Sequence, residues 1–284
     1  MALGFLAPNL LGFLVFTMIP IGIGIGMAFF NWDGANEPVF NGVSNFARMF
    51  RDSQFQNALV VTFLYTALTV PVTIVLSLLV ASLLTANIRL TTLYRSIFFF
   101  PYIASIVAVA VVWQFLYHAD MGPINESLRS IGIAEPPRWT SSKDTALIAV
   151  AIMNIWRSVG YYMVLYIAGI VSIPAVYYEA AAVDGANVLQ KFWHITLPML
   201  SPTTFFIVII SIINSFQSFT PIYVMTGGGP GTATQVLVFR IYEEAFVLSN
   251  FGYASAMAVV LFLIVLLFTI FQFRWQEKQV IYLQ

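Results

Sequence analysis

Six long apolar runs, separated by short polar stretches, restrict the fold of this chain more than any other feature. They cover approximately residues 3–30, 56–86, 96–117, 146–173, 203–225 and 251–273. A helix needs about 20 mainly apolar residues to cross the hydrocarbon core of a bilayer, and each run is long enough. Only 8% of the residues are charged, against about 25% in soluble domains. The sequence predicts an all-α, polytopic membrane protein with about six transmembrane helices, in a single transmembrane domain over residues 1–284.

Composition excludes several classes of function. The chain has no cysteine and a net charge of zero, so it predicts no disulfide, no thiolate metal site and no nucleic-acid partner. His118 and His194 lie far apart in the sequence and make no ligand pair. The nucleotide-binding motif G-x-x-x-x-G-K-[ST] does not occur in the sequence. No arrangement of acid, base and nucleophile typical of an enzyme is apparent either. We therefore expect a protein that is not an enzyme and has no metal site.

A polar segment at residues 174–202 lies between the fourth and fifth apolar runs, and we call it the knuckle. Pro174 opens it, and the alanine-rich stretch from Tyr177 to Val183 predicts a short helix. Asp184-Gly185 predicts a tight turn, because glycine tolerates a positive φ. A second short helix is expected over Val188 to Ile195, ended by Leu197-Pro198. The segment is too polar and too interrupted to cross a membrane.

The knuckle resembles the EAA loop of bacterial ABC-importer permeases. The residues that carry this resemblance, in the order and spacing of the family, are Glu179, Ala180, Ala181, Asp184, Gly185, Phe192, Ile195, Leu197 and Pro198. The resemblance implies a cytoplasmic coupling helix that docks into a cleft on an ATPase. The alternative is an ordinary amphipathic loop helix.

The same resemblance implies the partners of the chain. They are a second, homologous permease subunit that forms a heterodimer with it, two ATPase subunits and an extracytoplasmic solute-binding protein. ATP and magnesium would be bound by the ATPase subunits, and this chain would bind no cofactor. The implied location is the bacterial cytoplasmic (inner) membrane. Loop lysines and arginines are almost evenly divided between the two sides, so the positive-inside rule does not orient the chain, and the orientation rests on the resemblance.

Within the knuckle, we expect Glu179 and Gly185 to carry the coupling. A carboxylate near the start of a short helix is favoured by the helix dipole. Tyr178, Val188, Phe192 and Ile195 are expected to form the apolar surface that meets the ATPase.

Two further segments resemble the carbohydrate branch of this family, the branch of the maltose transporter. Before the second span these residues are Gly42, Asn45, Phe46, Asp52, Phe55, Ala58 and Leu59. After the fifth span they are Tyr223, Met225 to Pro230, Ile241, Tyr242, Ala245 and Phe246. The resemblance implies uptake of a disaccharide or oligosaccharide.

Polar residues within two spans predict a substrate pathway. Ser211, Asn214, Ser215 and Ser218 follow the spacing i, i+3, i+4 and i+7, which places them on one face of the fifth span, with Gln217 beside them. The fourth span contributes Arg157, Ser158 and Tyr161. Hydroxyl and amide groups next to aromatic rings suit a sugar. The alternative is that these groups only join neighbouring helices.

Arg157 is a charge well inside a span, which by itself suggests a functional role. Three roles are open: pairing with a carboxylate of the partner subunit, extension of the side chain outward, and contact with the substrate. An anionic substrate such as a glycerol phosphate would suit the third role, although a neutral sugar is the preferred interpretation. A self-sufficient secondary transporter is a further alternative. That class usually shows inverted repeats or an ion-coupling carboxylate within a span, and neither is found in the sequence.

Overall fold

The computed structural model describes residues 2–85 and 90–279. The predicted end of the second span at residue 86 and the two ends of the predicted domain lie outside the described residues. Within them, four uninterrupted helices are long and apolar enough to cross a membrane, and two bent helix pairs raise the number to six if each pair crosses once. The helical, multi-span fold predicted from the sequence is confirmed.

The first span lies at the edge of the bundle. It consists of α1 (Ala2–Phe13), a π-helical turn (Leu14–Met18) and α2 (Ile19–Met27), and no residue of the π-helical turn or of α2 is buried. A short hairpin follows, in which β1 (Phe30–Asn31) pairs antiparallel with β2 (Val39–Phe40).

A buried asparagine fixes this hairpin to the first span. Asn45 is the second residue of α3 (Ser44–Met49). Its Nδ2 donates to the carbonyl oxygens of Ala28 at 2.9 Å and Phe30 at 3.0 Å. These bonds satisfy backbone groups that the end of the helix leaves without partners.

The centre of the bundle is the long contact between α4 (Ser53–Thr85) and α8 (Ala146–Val171). Small residues allow the close approach: Ala81 and Ala149 are fully buried, and Ser77 donates to the carbonyl oxygen of Val159 at 3.0 Å. Side-chain hydroxyls that bond across helices are a common means of association in membrane proteins.

The predicted third span, 96–117, is wrong as a single helix. The chain forms α5 (Thr91–Ile103) and α6 (Ile106–Leu116), whose axes differ by 96°. Ala104 and Ser105 between them have extended backbones, with ψ of 149° and 124°. Pro101 removes one backbone donor from the last turn of α5, which weakens the helix just before the break. The following loop contains α7 (Pro123–Ser130).

The knuckle and the predicted fifth span also differ from expectation. Their helices are α9 (Ala175–Val183), α10 (Val188–Lys191), a π-helical turn (Phe192–Thr196), α11 (Leu197–Met199), α12 (Ser201–Phe216) and α13 (Thr220–Met225). Leu197-Pro198 does not end the second knuckle helix, because Pro198 lies in the first turn of α11, where a missing N–H is tolerated. The axis instead bends by 65° before Ser201. The predicted span 203–225 is two helices, and the first ends at Phe216.

The last part of the chain contains α14 (Leu237–Tyr242), a π-helical turn (Glu243–Val247) and α15 (Phe251–Gln279). A buried ion pair joins Arg240 to Glu244, and Asn250 Nδ2 donates to the same carboxylate at 2.8 Å. The pair fixes the segment before α15.

Candidate functional site

A polar cavity of about 250 Å³ lies at the break between α5 and α6 and at the break between α12 and α13. Its walls come from α4, α8 and α12, from Tyr102 and Ile106 at the break between α5 and α6, and from the residues between α12 and α13. Seven of the eight predicted pathway residues line it: Arg157, Ser158, Ser211, Asn214, Ser215, Gln217 and Ser218. The helix breaks therefore bring together residues from separate spans around one space.

Tyr161 is the predicted pathway residue that does not line the cavity. Its ring stacks on Tyr102 with centroids 4.4 Å apart and planes at 13°. The neighbouring Tyr162 faces the cavity instead. Successive side chains of an α-helix differ in direction by about 100°. The tyrosine of α8 that lines the cavity is therefore the one directly after the tyrosine predicted.

Arg157 is held against Tyr102. Its Nη2 donates to the carbonyl oxygen of Tyr102 at 3.0 Å, and the guanidinium carbon lies 4.9 Å from the centre of the tyrosine ring, within the range of a cation–π contact. Among the described residues no carboxylate lies within 4.0 Å of Arg157, and its buried Nε has no hydrogen-bond partner there.

The polar residues of α12 both line the cavity and join helices. Ser215 Oγ donates to Thr66 Oγ1 at 2.9 Å and lies 3.1 Å from Thr69 Oγ1, while Asn214 Nδ2 donates to Tyr162 Oη at 3.3 Å. The two interpretations of these residues, pathway and helix contact, are therefore compatible.

Ser218 lies outside the helical face on which it was expected. It follows the end of α12, yet it is buried, and its Oγ donates to Tyr65 Oη at 3.3 Å. The i+7 spacing from Ser211 therefore does not describe its position.

Several lining residues were not predicted. Thr69, Thr73, Tyr102, Asn154 and Tyr162 belong to the wall. Helical spacing in the sequence could have indicated three of them. Thr69 and Thr73 are four residues apart in the second span, and Asn154 lies three residues before Arg157. Tyr102 carries no such signal, because it reaches the cavity only through the break after α5.

The knuckle turns at Gly185, whose φ is +76°. Asn187 then caps α10: its Oδ1 accepts from the backbone N–H of Gln190 at 2.9 Å, and Gln190 Oε1 accepts from the Asn187 N–H at 2.8 Å. This reciprocal capping box begins the second helix directly after the turn. The predicted turn and the two flanking helices are present.

Glu179 is not near the start of its helix, so that expectation is wrong. The helix begins at Ala175, two residues before the predicted start, and Glu179 is its fifth residue. Its side chain is exposed. The helix dipole acts mainly within the first turn and does not explain this carboxylate.

The exposed apolar surface of the knuckle differs from the one predicted. Val183 is 89% exposed, Val188 85%, Leu189 66% and Trp193 56%. Of the predicted surface, only Val188 belongs to this set. Apolar side chains that project from a polar loop in this way are typical of a protein interface.

Two of the other predicted surface residues, Tyr178 and Ile195, attach the knuckle to the bundle. Tyr178 Oη and Thr196 Oγ1 share a hydrogen bond of 2.9 Å, and Tyr178 and Ile195 pack on a buried cluster that includes Tyr166 and Leu200. The knuckle is continuous with α8 on one side and α12 on the other, and both helices line the cavity. A displacement of the knuckle therefore acts directly on the cavity walls.

Membrane-length helices around a polar cavity, with an exposed helical knuckle joined to two of them, define a membrane permease. Residues 41–281 match the family model described as a binding-protein-dependent transport system inner membrane component, and the chain belongs to that family. It is a multi-pass protein of the inner membrane.

Two permease proteins are similar to this chain over most of its length. The chain is 35% identical to the sn-glycerol-3-phosphate transport system permease protein UgpA of Agrobacterium fabrum, over 86% of this chain and 83% of the relative. It is 31% identical to the probable starch degradation products transport system permease protein AmyD of Thermoanaerobacterium thermosulfurigenes, over 97% and 93%.

The fold is also similar to a solved structure. It matches a chain of a bacterial ABC transporter involved in the import of the acidic polysaccharide alginate with a TM-score of 0.86, at 24% identity, over 97% of this chain and 94% of that chain. At this identity the likeness concerns the fold.

Proposed function

We propose that this chain is the transmembrane subunit of an ABC importer and that it forms, with a second permease subunit, the pathway for ATP-driven sugar uptake. The observation that carries the proposal is the knuckle, which presents an exposed apolar surface and is continuous with α8 and α12, two of the helices that line the polar cavity. A partner that moves the knuckle can shift the cavity between inward- and outward-facing states.

The energy for this movement comes from partners. Two ATPase subunits bind ATP and magnesium and receive the knuckle, while this chain binds no cofactor and catalyses no reaction. An extracytoplasmic solute-binding protein delivers the substrate. Family membership supports the binding protein, and the exposed Val183, Val188, Leu189 and Trp193 support a protein partner at the knuckle.

A sugar is the substrate class that the cavity supports. Its walls offer hydroxyl and amide groups beside the rings of Tyr102, Tyr162 and Phe219, a combination that matches sugar hydroxyls and C–H faces. The similarity to AmyD agrees with a sugar. A glycerol phosphate is the second candidate, favoured by Arg157 and by the similarity to UgpA.

Co-purification tests the proposed docking surface. We expect the chain, expressed with the other subunits of its importer, to retain the ATPase, and we expect Trp193→Ser combined with Leu189→Ser to lose most of it. Phe246→Ser is the matched control, because Phe246 is a comparably exposed aromatic residue, 69% exposed, that lies outside the knuckle.

The ATPase content per permease should fall at least tenfold in the knuckle variant and stay unchanged in the control. Equal ATPase content in both variants would exclude the knuckle as the docking surface. ATP-independent uptake by the purified chain would exclude the ABC importer.

A further inference from the structure

Among the described residues that line the cavity, Arg157 alone carries a charge. The cavity walls are formed by serine, threonine, asparagine, glutamine, tyrosine and apolar side chains, together with Arg157. Arginine remains protonated under all physiological conditions. Within the described residues no carboxylate approaches this guanidinium to 4.0 Å. The positive charge is therefore uncompensated by the part of this chain that the structure describes.

The contacts of Arg157 hold it in place and leave donors free. Tyr102 provides its carbonyl oxygen to Nη2 and its ring to the face of the guanidinium. Of the five N–H donors of an arginine, the described residues pair one, on Nη2. Nε is buried without a partner among them, and Nη1 makes no hydrogen bond to them. Unpaired donors are costly in a buried site, so the arrangement favours a ligand that supplies acceptor oxygens to the part of the guanidinium that faces the cavity.

Neutral polar groups surround this charge. Ser158 adjoins Arg157 in sequence, Asn154 lies three residues earlier on the same helix, and Gln217 and Asn214 come from the region of α12. Such groups both donate and accept, as sugar hydroxyls require. The volume of about 250 Å³ lies just below the range of pockets for drug-sized ligands and suits a group the size of one sugar ring.

We infer that the cavity binds a polyol that carries an anionic oxygen group, a carboxylate or a phosphate, and that Arg157 binds that group. The inference rests on the proposed function and narrows its substrate class. A neutral hydroxyl would leave the cation without a counter-charge in a low-dielectric site, whereas a carboxylate or phosphate forms charge-assisted hydrogen bonds with the free guanidinium edge.

Matched pairs of probes separate the charge from the rest of the ligand. Equilibrium binding to the assembled importer in nanodiscs, without its solute-binding protein, is measured for D-galacturonate against D-galactose. It is also measured for sn-glycerol 3-phosphate against glycerol. The first pair tests a carboxylate and the second a phosphate.

The variants are Arg157→Met, Arg157→Lys and the control Arg48→Met. Arg48 also stacks on a tyrosine, 3.9 Å from the ring centre of Tyr253, but lies outside the cavity. We expect at least one anionic probe to bind wild type at least tenfold more tightly than its neutral partner. Arg157→Met should remove that preference, Arg157→Lys should keep part of it, and Arg48→Met should keep all of it.

Three results would overturn the inference. They are equal or tighter binding of the neutral probe by wild type, an unchanged preference in Arg157→Met, and no detectable binding of either anionic probe. Failure of the proposed function is a different result, since the wild-type complex would then take up no solute when ATP is supplied. Neutral-sugar uptake that is insensitive to Arg157 would contradict this inference and leave the proposed function standing.

Discussion

The cavity and the knuckle differ in polarity from their surroundings, and the two differences are opposite in sign. The cavity gathers polar side chains and one cation inside a bundle of apolar helices, whereas the knuckle projects valine, leucine and tryptophan side chains from a polar segment. Polar groups are expensive in a membrane interior, and large apolar side chains are unfavourable at an aqueous surface. Under the proposed function, a solute completes the cavity and a protein partner completes the knuckle.

The two regions also tolerate change differently. Around the cavity the helices are in close contact, so its geometry depends on packing. The knuckle turn is surrounded by open space, and its geometry depends on the backbone. Substitutions of one glycine in each region separate these two kinds of dependence.

The largest effect is expected from Gly160→Ala, beside the cavity. A Cβ at this position would lie 1.8 Å from the carbonyl oxygen of Phe98, so α5 would have to move away from α8. We expect a loss of about 3 kcal/mol in stability, seen as a lower melting temperature in detergent and a lower amount of protein in the membrane.

Gly22→Ala is the control for Gly160→Ala. Among the described residues, no atom outside the backbone of its own helix lies within 4 Å of a Cβ at Gly22, which is in the first span, so we expect no loss of stability. Wild-type stability of Gly160→Ala would mean that α5 and α8 are not in the close contact described above.

A more selective effect is expected from Gly185→Val, in the knuckle. The space around Gly185 is open, but its φ of +76° is strained for a β-branched residue, at about 1–3 kcal/mol. We expect normal insertion and only a small loss of stability, but at least a tenfold loss of ATP-coupled uptake, measured as solute transported per ATP hydrolysed by the assembled importer.

Gly185→Asn distinguishes backbone strain from the loss of glycine itself. Asparagine adopts positive φ more readily than other non-glycine residues, so this variant should keep most of the coupling. Normal uptake by Gly185→Val would remove the basis for assigning the coupling to this turn.

The smallest effect is expected away from both regions, at Asp52. Burial raises the pKa of this carboxyl, but hydrogen bonds from Tyr253 and from the backbone of Phe55 and Gln54, with the nearby charge of Arg240, outweigh it and lower the pKa below its ordinary value of 3.8. A lowered pKa stabilises the folded state above the ordinary value, and this stabilisation is lost as the pH falls through the folded-state pKa.

Asp52→Asn should therefore lower the melting temperature slightly at pH 7 and reduce the loss of stability below about pH 4. The comparison of melting temperatures at pH 7 and pH 3.5, for wild type and variant, measures this. A variant with the same acid dependence as wild type would show that Asp52 does not contribute to it.

The sequence by itself determined that this is a helical membrane protein with several spans, because the lengths of the apolar runs match the thickness of a bilayer. It also determined the place and the turn of the knuckle, since Gly185 satisfies a purely local backbone requirement, and most of the polar residues of the cavity, since helical spacing relates Ser211, Asn214 and Ser215.

Only the tertiary structure decided where the spans break and which side chains face out. The breaks at Ala104-Ser105 and after Phe216 bring Tyr102 and Ser218 to the cavity. The choice of Tyr162 over Tyr161 depends on the rotation of a helix, which a single residue changes by about 100°. The exposure of Leu189 and Trp193, with Ile195 turned inward, follows from contacts with α8 and the start of α12 that no local pattern encodes.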